Sequence, residues 1–261
     1  MNNFCTLLFL LVFLNSFGQK SIKSTDMPGK IDSLEKLSSK LNAELKLLKK
    51  EIPNVIVANA EGGNCTIYLF QPFGLNIQLH HIRPDFIPEN FLCVPGAYTS
   101  TKNQIDGLFV EDGIEINELI NNKLTGACII SNDSIQIIGL QDINSKLISQ
   151  LILSKKSIFQ QSLLVKKNQI VPCKLFGNKE NIRRALIQFE DTYCIGESHR
   201  PITISEFQES LVNIGAVNAI NLDMGTWSEG WYKNHCCEKI IVGEKMVSTN
   251  KQTNWLIYTK Q

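Results

Sequence analysis

The sequence has almost no net charge: 26 lysines and arginines stand against 25 acids, for a formal balance of +1. That excludes a surface built to track nucleic-acid phosphates or to be drawn onto a strongly anionic membrane. Long hydrophobic runs are missing too. The longest, Phe4 to Leu14 with only Thr6 interrupting it, falls short of the roughly 20 residues a spanning helix needs. There is no Gly-x-Ser-x-Gly elbow, no Walker loop and no dinucleotide fingerprint, so no organic cofactor is expected. Histidine is scarce, at 4 residues. His235-Cys236-Cys237-Glu238 and His80-His81 are runs of neighbours, and neighbouring side chains of an extended chain point to opposite faces, which argues against a transition-metal site. Carboxylates and carbonyls leave calcium open, since its ligands carry little signature outside known loops. No internal repeat is visible.

What is present describes an exported globular protein. The 43% hydrophobic content and 20% charge support a real core. Residues 1–18 read as a secretory signal: an apolar stretch, then Ser16-Phe17-Gly18, small residues that place cleavage before Gln19. An uncleaved anchor is the alternative, because the leader carries no lysine or arginine. Export gives a secreted, periplasmic or cell-surface location and removes Cys5, leaving seven cysteines whose scattered spacing is unlike a disulfide scaffold. Asn64-Cys65-Thr66 and Asn132-Asp133-Ser134 match the glycosylation acceptor pattern.

Residues 19–30 are a polar linker. Asp32-Ser33-Leu34-Glu35 then opens a helix over 31–52, with Leu34, Leu37, Leu41, Leu45, Leu48 and Ile52 on one face and Pro53 at its end. That stripe suits either a short coiled coil or a helix laid on the domain that follows, and offers a face for protein contact. From Val55 the period shortens. Val55-Ile56-Val57, Thr66–Phe70, Leu75–Leu79, Leu108–Val110 and Ile135–Ile138, punctuated by glycines and prolines, predict strands. Helices are expected over Asp142–Leu153 and Thr203–Ile214, the second with a Thr203…Glu206 capping box and Gly215 as its stop. Ala216–Leu222 follows as a strand running into Asp223. The fold class expected is α/β, a strand-rich mixed sheet with flanking helices after one amphipathic N-terminal helix, with residues 55–261 as a single domain.

The segment from Glu206 to Tyr232 resembles the end of the phosphodiester glycosidase family, where a helix and a glycine lead into an apolar strand closing on an Asp-Gly-Gly or Asp-Gly-Ser motif. Pro95-Gly96-Ala97-Tyr98 is similar to its Asn-Gly-Gly-Phe segment, Gly107–Gly113 to the next strand and turn, Phe159–Val165 to its Gln-x-Gly-Pro-x-Leu stretch, and Asn181–Ala185 to its arginine-bearing segment. Pro95 or Val94, depending on register, Ser162-Leu163 and Met224 stand where the family carries asparagine, glycine-proline and glycine.

The resemblance implies hydrolysis of a sugar phosphodiester, with Asp223 as acid or base and Glu229 as its partner. It implies a ligand held by Arg183, the Gly225 backbone, the Thr226 and Ser228 hydroxyls, and the turn through Gly96 and Tyr98. From the residues alone other readings stay open: Asp223 as an aspartate that starts its own turn, Arg183 as half of a solvated pair with Arg184, and Trp227, Trp231 and Tyr232 as core rather than sugar platforms. A glycan-binding module without turnover is the alternative to a hydrolase.

Overall fold

The computed structural model describes residue 40 and residues 54–84, 86–131, 134–173, 177–224, 228–243 and 252–260. The chain divides into two units, 1–52 and 53–261. The expected signal, linker and, apart from residue 40, N-terminal helix lie outside the described residues, as do Asn132, Asp133, Gly225, Thr226 and Trp227.

In chain order the second unit begins with β1 (Val55–Glu61), β2 (Thr66–Pro72), β3 (Asn76–His80), β4 (Asn90–Pro95), β5 (Phe109–Glu111), β6 (Ile114–Asn117), β7 (Gly126–Ser131) and β8 (Ser134–Gly139). Helix α1 (Ser145–Leu153) comes next, followed by β9 (Ser157–Gln161), β10 (Leu163–Lys166), β11 (Gln169–Ile170), β12 (Arg184–Gln188) and β13 (Tyr193–Ser198). Helix α2 (Ile204–Asn213) leads into β14 (Asn218–Asn221), β15 (Gly230–Lys233), β16 (Lys239–Val242) and β17 (Trp255–Thr259). Strands therefore dominate an α/β fold, and the strands foreseen around 55, 66, 75, 108 and 135 all form.

The strands make three sheets, ordered β1-β2-β13-β12-β14-β10-β11, β16-β15-β4-β17-β3 and β6-β5-β9-β7-β8. Every pairing among the described residues is antiparallel. One cluster of buried side chains joins all three: Leu186, Ile195 and Ile220 from the first, Leu92, Val94 and Leu256 from the second, Phe109, Cys128 and Phe159 from the third. The outer face of the first sheet is covered by α2, where Ile204, Phe207 and Leu211 meet Ile67, Leu164, Val165 and Ile187. Helix α1 covers the third sheet through Leu151, beside Val110, Ile129 and Ile158. Being enclosed on both faces, β4 and β9 read as continuous apolar or buried runs rather than alternating ones.

Local signals account for both helices. Thr203 Oγ1 accepts from the Glu206 N–H while the Glu206 carboxylate accepts from the Thr203 N–H at 2.8 Å, which closes the expected capping box. At the other end Gly215 takes φ +89°, the left-handed turn a glycine adopts without strain. Helix α1 starts later than its periodicity suggests. Asp142 belongs to a short 3-10 turn, Leu140–Asp142, and Asn144 Oδ1 caps the helix by accepting from the Leu147 N–H at 3.0 Å. The seven cysteines described are all free thiols. No helix among the described residues is long and apolar enough to cross a membrane.

Candidate functional site

The site is assembled where the chain leaves β14. The Asn221 N–H donates to Ser162 O at 2.8 Å, the Leu222 N–H to Arg184 O at 3.0 Å and the Asp223 N–H to Gly96 O at 2.9 Å. These three bonds walk the backbone from the first sheet to the end of β4 in the second. They deliver Asp223, only 7% exposed, to the turn that follows Pro95. Its Oδ2 accepts from the Thr99 N–H at 3.0 Å. Burial pushes the Asp223 carboxyl up to about 7, against the Thr99 amide and hydroxyl, the Arg184 charge and the Met224 N–H, which all favour the carboxylate.

The turn itself is held from the side. Asn254 accepts from the Ala97 N–H at 2.6 Å and donates to Ala97 O at 2.9 Å, so one side-chain amide satisfies both backbone polar groups of a fully buried residue. Gly96 is the adjoining residue, and a Cβ there would stand 3.0 Å from Asn254 Oδ1. Next comes Tyr98, whose hydroxyl accepts from Asn221 Nδ2 at 2.9 Å. Burial, then the Asp223 charge, push this phenol well above its ordinary range, while Arg183 pulls the other way. Asp223, Gly96, Tyr98 and Arg183 thus occupy one neighbourhood, with the phenol near enough to feel both the carboxyl and the guanidinium charge.

The two adjacent arginines are both buried, and alternation along the chain separates their tasks. Arg183 donates from Nε to Ile202 O at 3.2 Å and from Nη2 to Lys179 O, binding two loops together. Arg184, fully buried, grips Glu197 Oε2 with Nη2 at 2.6 Å and Nε at 2.9 Å, and its Nη1 donates to Ser228 O at 3.0 Å. It is therefore Arg184 whose charge reaches Asp223. Gly243 makes room for it, since a Cβ there would lie 2.7 Å from Arg184 Nη2. Ser228 is buried. Glu229 pairs with Arg83 Nη2 at 2.8 Å, and that guanidinium lies 5.5 Å over the Trp255 ring. Trp231 is core, 1% exposed. Gly225 and Thr226 fall outside the described residues.

Beyond this cluster lies a cleft of about 1040 Å³ whose walls include Lys102, Asp106, Asn117, Asn121, Gln252 and Thr253. Asp223 is one residue behind the wall. Thr253 Oγ1 meets Thr99 Oγ1 at 2.9 Å, and the Asp106 N–H donates to Tyr98 O at 2.8 Å. On the interior side, Gln161 Nε2 and Ser162 Oγ are fully buried with no partner among the described residues, and the Ser162 carbonyl is the one that receives the Asn221 N–H. No three His, Cys, Asp or Glu side chains among the described residues converge as metal ligands.

Thr99, Asn221, Arg184 and Asn254 were not singled out by sequence reasoning. Arg184 carried a faint signal, its adjacency to Arg183 in an otherwise apolar strand. Asn254 carried none, because its partner Ala97 lies 157 positions away.

No family model matches the sequence, and no curated protein does. Solved structures do resemble it in fold. The catalytic domain of zebrafish N-acetylglucosamine-1-phosphodiester alpha-N-acetylglucosaminidase, auto-inhibited by its pro-peptide, superposes with a TM-score of 0.52 at 11% identity, over 80% of this chain and 82% of that one. A hypothetical protein from Synechocystis gives a TM-score of 0.51 at 10% identity, over 79% of this chain and 61% of that one. At these identities the likeness speaks to fold alone.

Proposed function

We propose that the protein is an exported hydrolase of glycosyl phosphodiesters, with Asp223 as its proton-transferring acid. The observation that carries this reading is the Asp223 carboxyl, buried at the meeting of two loops and poised near pH 7. A carboxyl held there is half protonated under neutral conditions and can give a proton to a departing oxygen. Tyr98 and the backbone of the Gly96 turn adjoin it, the amide-rich cleft suits sugar hydroxyls, and the fold likeness to a phosphodiester glycosidase supports the same chemistry. Hydrolysis of a set of glycosyl 1-(methyl phosphate) diesters is the test. Asp223→Asn is expected to lower kcat by about 100-fold or more, and full activity in that variant would remove Asp223 from the mechanism. Export follows from the leader at residues 1–18. The secreted protein is expected to begin at Gln19 by N-terminal sequencing, and retention of Met1 would contradict it.

Two features favour a second reading, a glycan-binding module without turnover. The Glu229 carboxylate is held by Arg83, and the Arg183 guanidinium is bonded to two backbone carbonyls. Calorimetric binding of a glycosyl phosphodiester that is not consumed would favour this module over the hydrolase.

A further inference from the structure

A histidine lines the cleft behind whose wall Asp223 lies. β3 ends at His80, and His81, the next residue, lies on the cleft wall with 40% of its side chain exposed. Glu111, at the end of β5, comes up beneath both histidines. Its Oε1 meets His80 Nδ1 at 3.0 Å, and its Oε2 meets His81 Nδ1 and accepts from the His81 N–H at 2.9 Å. Glu111 is itself mostly covered, with 15% of its side chain exposed. Burial raises its pKa, and the hydrogen bonds from His80, the His81 ring and the His81 backbone outweigh that and bring it to about 2. The group beneath the rings is thus an ionised acceptor at any ordinary pH.

That fixes the chemistry of the His81 ring. A carboxylate only accepts, so the nitrogen facing it, Nδ1, carries a proton. In the neutral ring Nε2 is then the basic nitrogen. Among the described residues nothing bonds His81 Nε2, whereas His80 Nε2 already meets Gln78 Oε1 at 3.2 Å. The two neighbouring histidines are therefore not equivalent: His80 is tied at both nitrogens, and His81 presents one to the cleft. Register places this wall beside the first site. Trp255 pairs with His80 on one side and Pro95 on the other, so His81 stands across β17 from the Gly96 turn, two strand spacings or about 10 Å away along the sheet.

We propose that His81 is a further catalytic residue of this cleft, its Nε2 taking the proton of the attacking water, and that Glu111 is its positioning residue. The inference rests on the hydrolase reading above. As the water oxygen bonds to the anomeric carbon, its O–H proton passes to Nε2. The anomeric carbon–oxygen bond breaks with its electron pair on the phosphate oxygen, which receives the Asp223 proton. The imidazolium left behind is balanced by the Glu111 carboxylate, and both protons are restored by exchange with solvent. This supplies the base that Glu229, held by Arg83, is not placed to supply.

The experiment compares wild type, His81→Ala and Glu111→Gln on glycosyl 1-(methyl phosphate) diesters, with unfolding curves run alongside to exclude misfolding. If the inference holds, His81→Ala lowers kcat by about 100-fold with KM little changed, added imidazole restores part of the loss, and Glu111→Gln lowers kcat while shifting the His81 ring ¹⁵N resonances away from the Nδ1–H tautomer. A wild type that turns over beside an equally active His81→Ala overturns the inference and leaves the hydrolase reading intact. If wild type turns over none of the diesters, the hydrolase reading fails, and titration with N-acetylglucosamine 1-phosphate decides the rest. A change at the His81 Nε2 resonance keeps it as a ligand contact, and an unmoved resonance removes it.

Discussion

At the scale of single residues, Asp223 couples the site to stability. An aspartate at the end of an apolar strand is visible in the sequence. Its depth is not, because that depth is made by Thr99, Gly96 and Arg184, none of them sequence neighbours. Burial raises its pKa from 3.8 to about 7, so between those values the native state holds a proton that the unfolded chain has released. Stability associated with this group is therefore complete below about pH 4 and is lost as pH rises through about 7. At about 1.4 kcal/mol for each tenfold, the loss is about 4 kcal/mol. Asp223→Asn, which keeps an acceptor for the Thr99 N–H but cannot ionise, is expected to flatten the fall in melting temperature between pH 4 and 8. A variant whose stability falls with pH as steeply as wild type would assign that slope to other groups.

Elements were legible wherever one face meets solvent or a cap has a side-chain signature. The Thr203…Glu206 box and Gly215 gave α2 its ends, and the spacing of Phe207 and Leu211 gave its buried face. Where a strand is buried on both sides the period of two vanishes, as in Asn90–Pro95, and apolar character alone does not tell strand from helix. The start of α1 was misplaced because Asp142 and Asn144 are both credible caps and only the 3-10 turn at Leu140–Asp142 decides between them. The turn after β4 depends on a partner no local pattern reveals. Asn254 supplies a hydrogen bond to each backbone polar group of the buried Ala97. Asn254→Ala leaves an N–H and a C=O unpaired in the interior and is expected to cost about 2–5 kcal/mol in chemical denaturation. Since the same turn receives the Asp223 N–H, ligand affinity should weaken with it, and a variant within about 0.5 kcal/mol of wild type would mean the turn holds itself.

Across residues 53–261 the order of strands follows long-range pairing. β14 enters between β12 and β10, and β17, the last strand, enters between β4 and β3. Neither insertion leaves a trace in periodicity, which is why strand-rich α/β was readable and the three-sheet arrangement was not. The insertions have a thermodynamic consequence. Phe159 of the third sheet, Leu186 of the first and Leu92 of the second are fully buried in one continuous cluster, so no sheet can lose its inner face without exposing the other two. Phe159→Ala, far from the Asp223 loop in sequence, is expected to remove about 3–5 kcal/mol. That corresponds to about 10 °C of melting temperature for a domain of this size. Fluorescence of Trp231 and Trp255, both packed in the second sheet, and far-UV circular dichroism of the whole should shift together by the same amount. Tryptophan fluorescence that stays at its wild-type midpoint while the dichroism transition moves would mean that the second sheet unfolds on its own and that the shared core does not bind the three layers into one cooperative body.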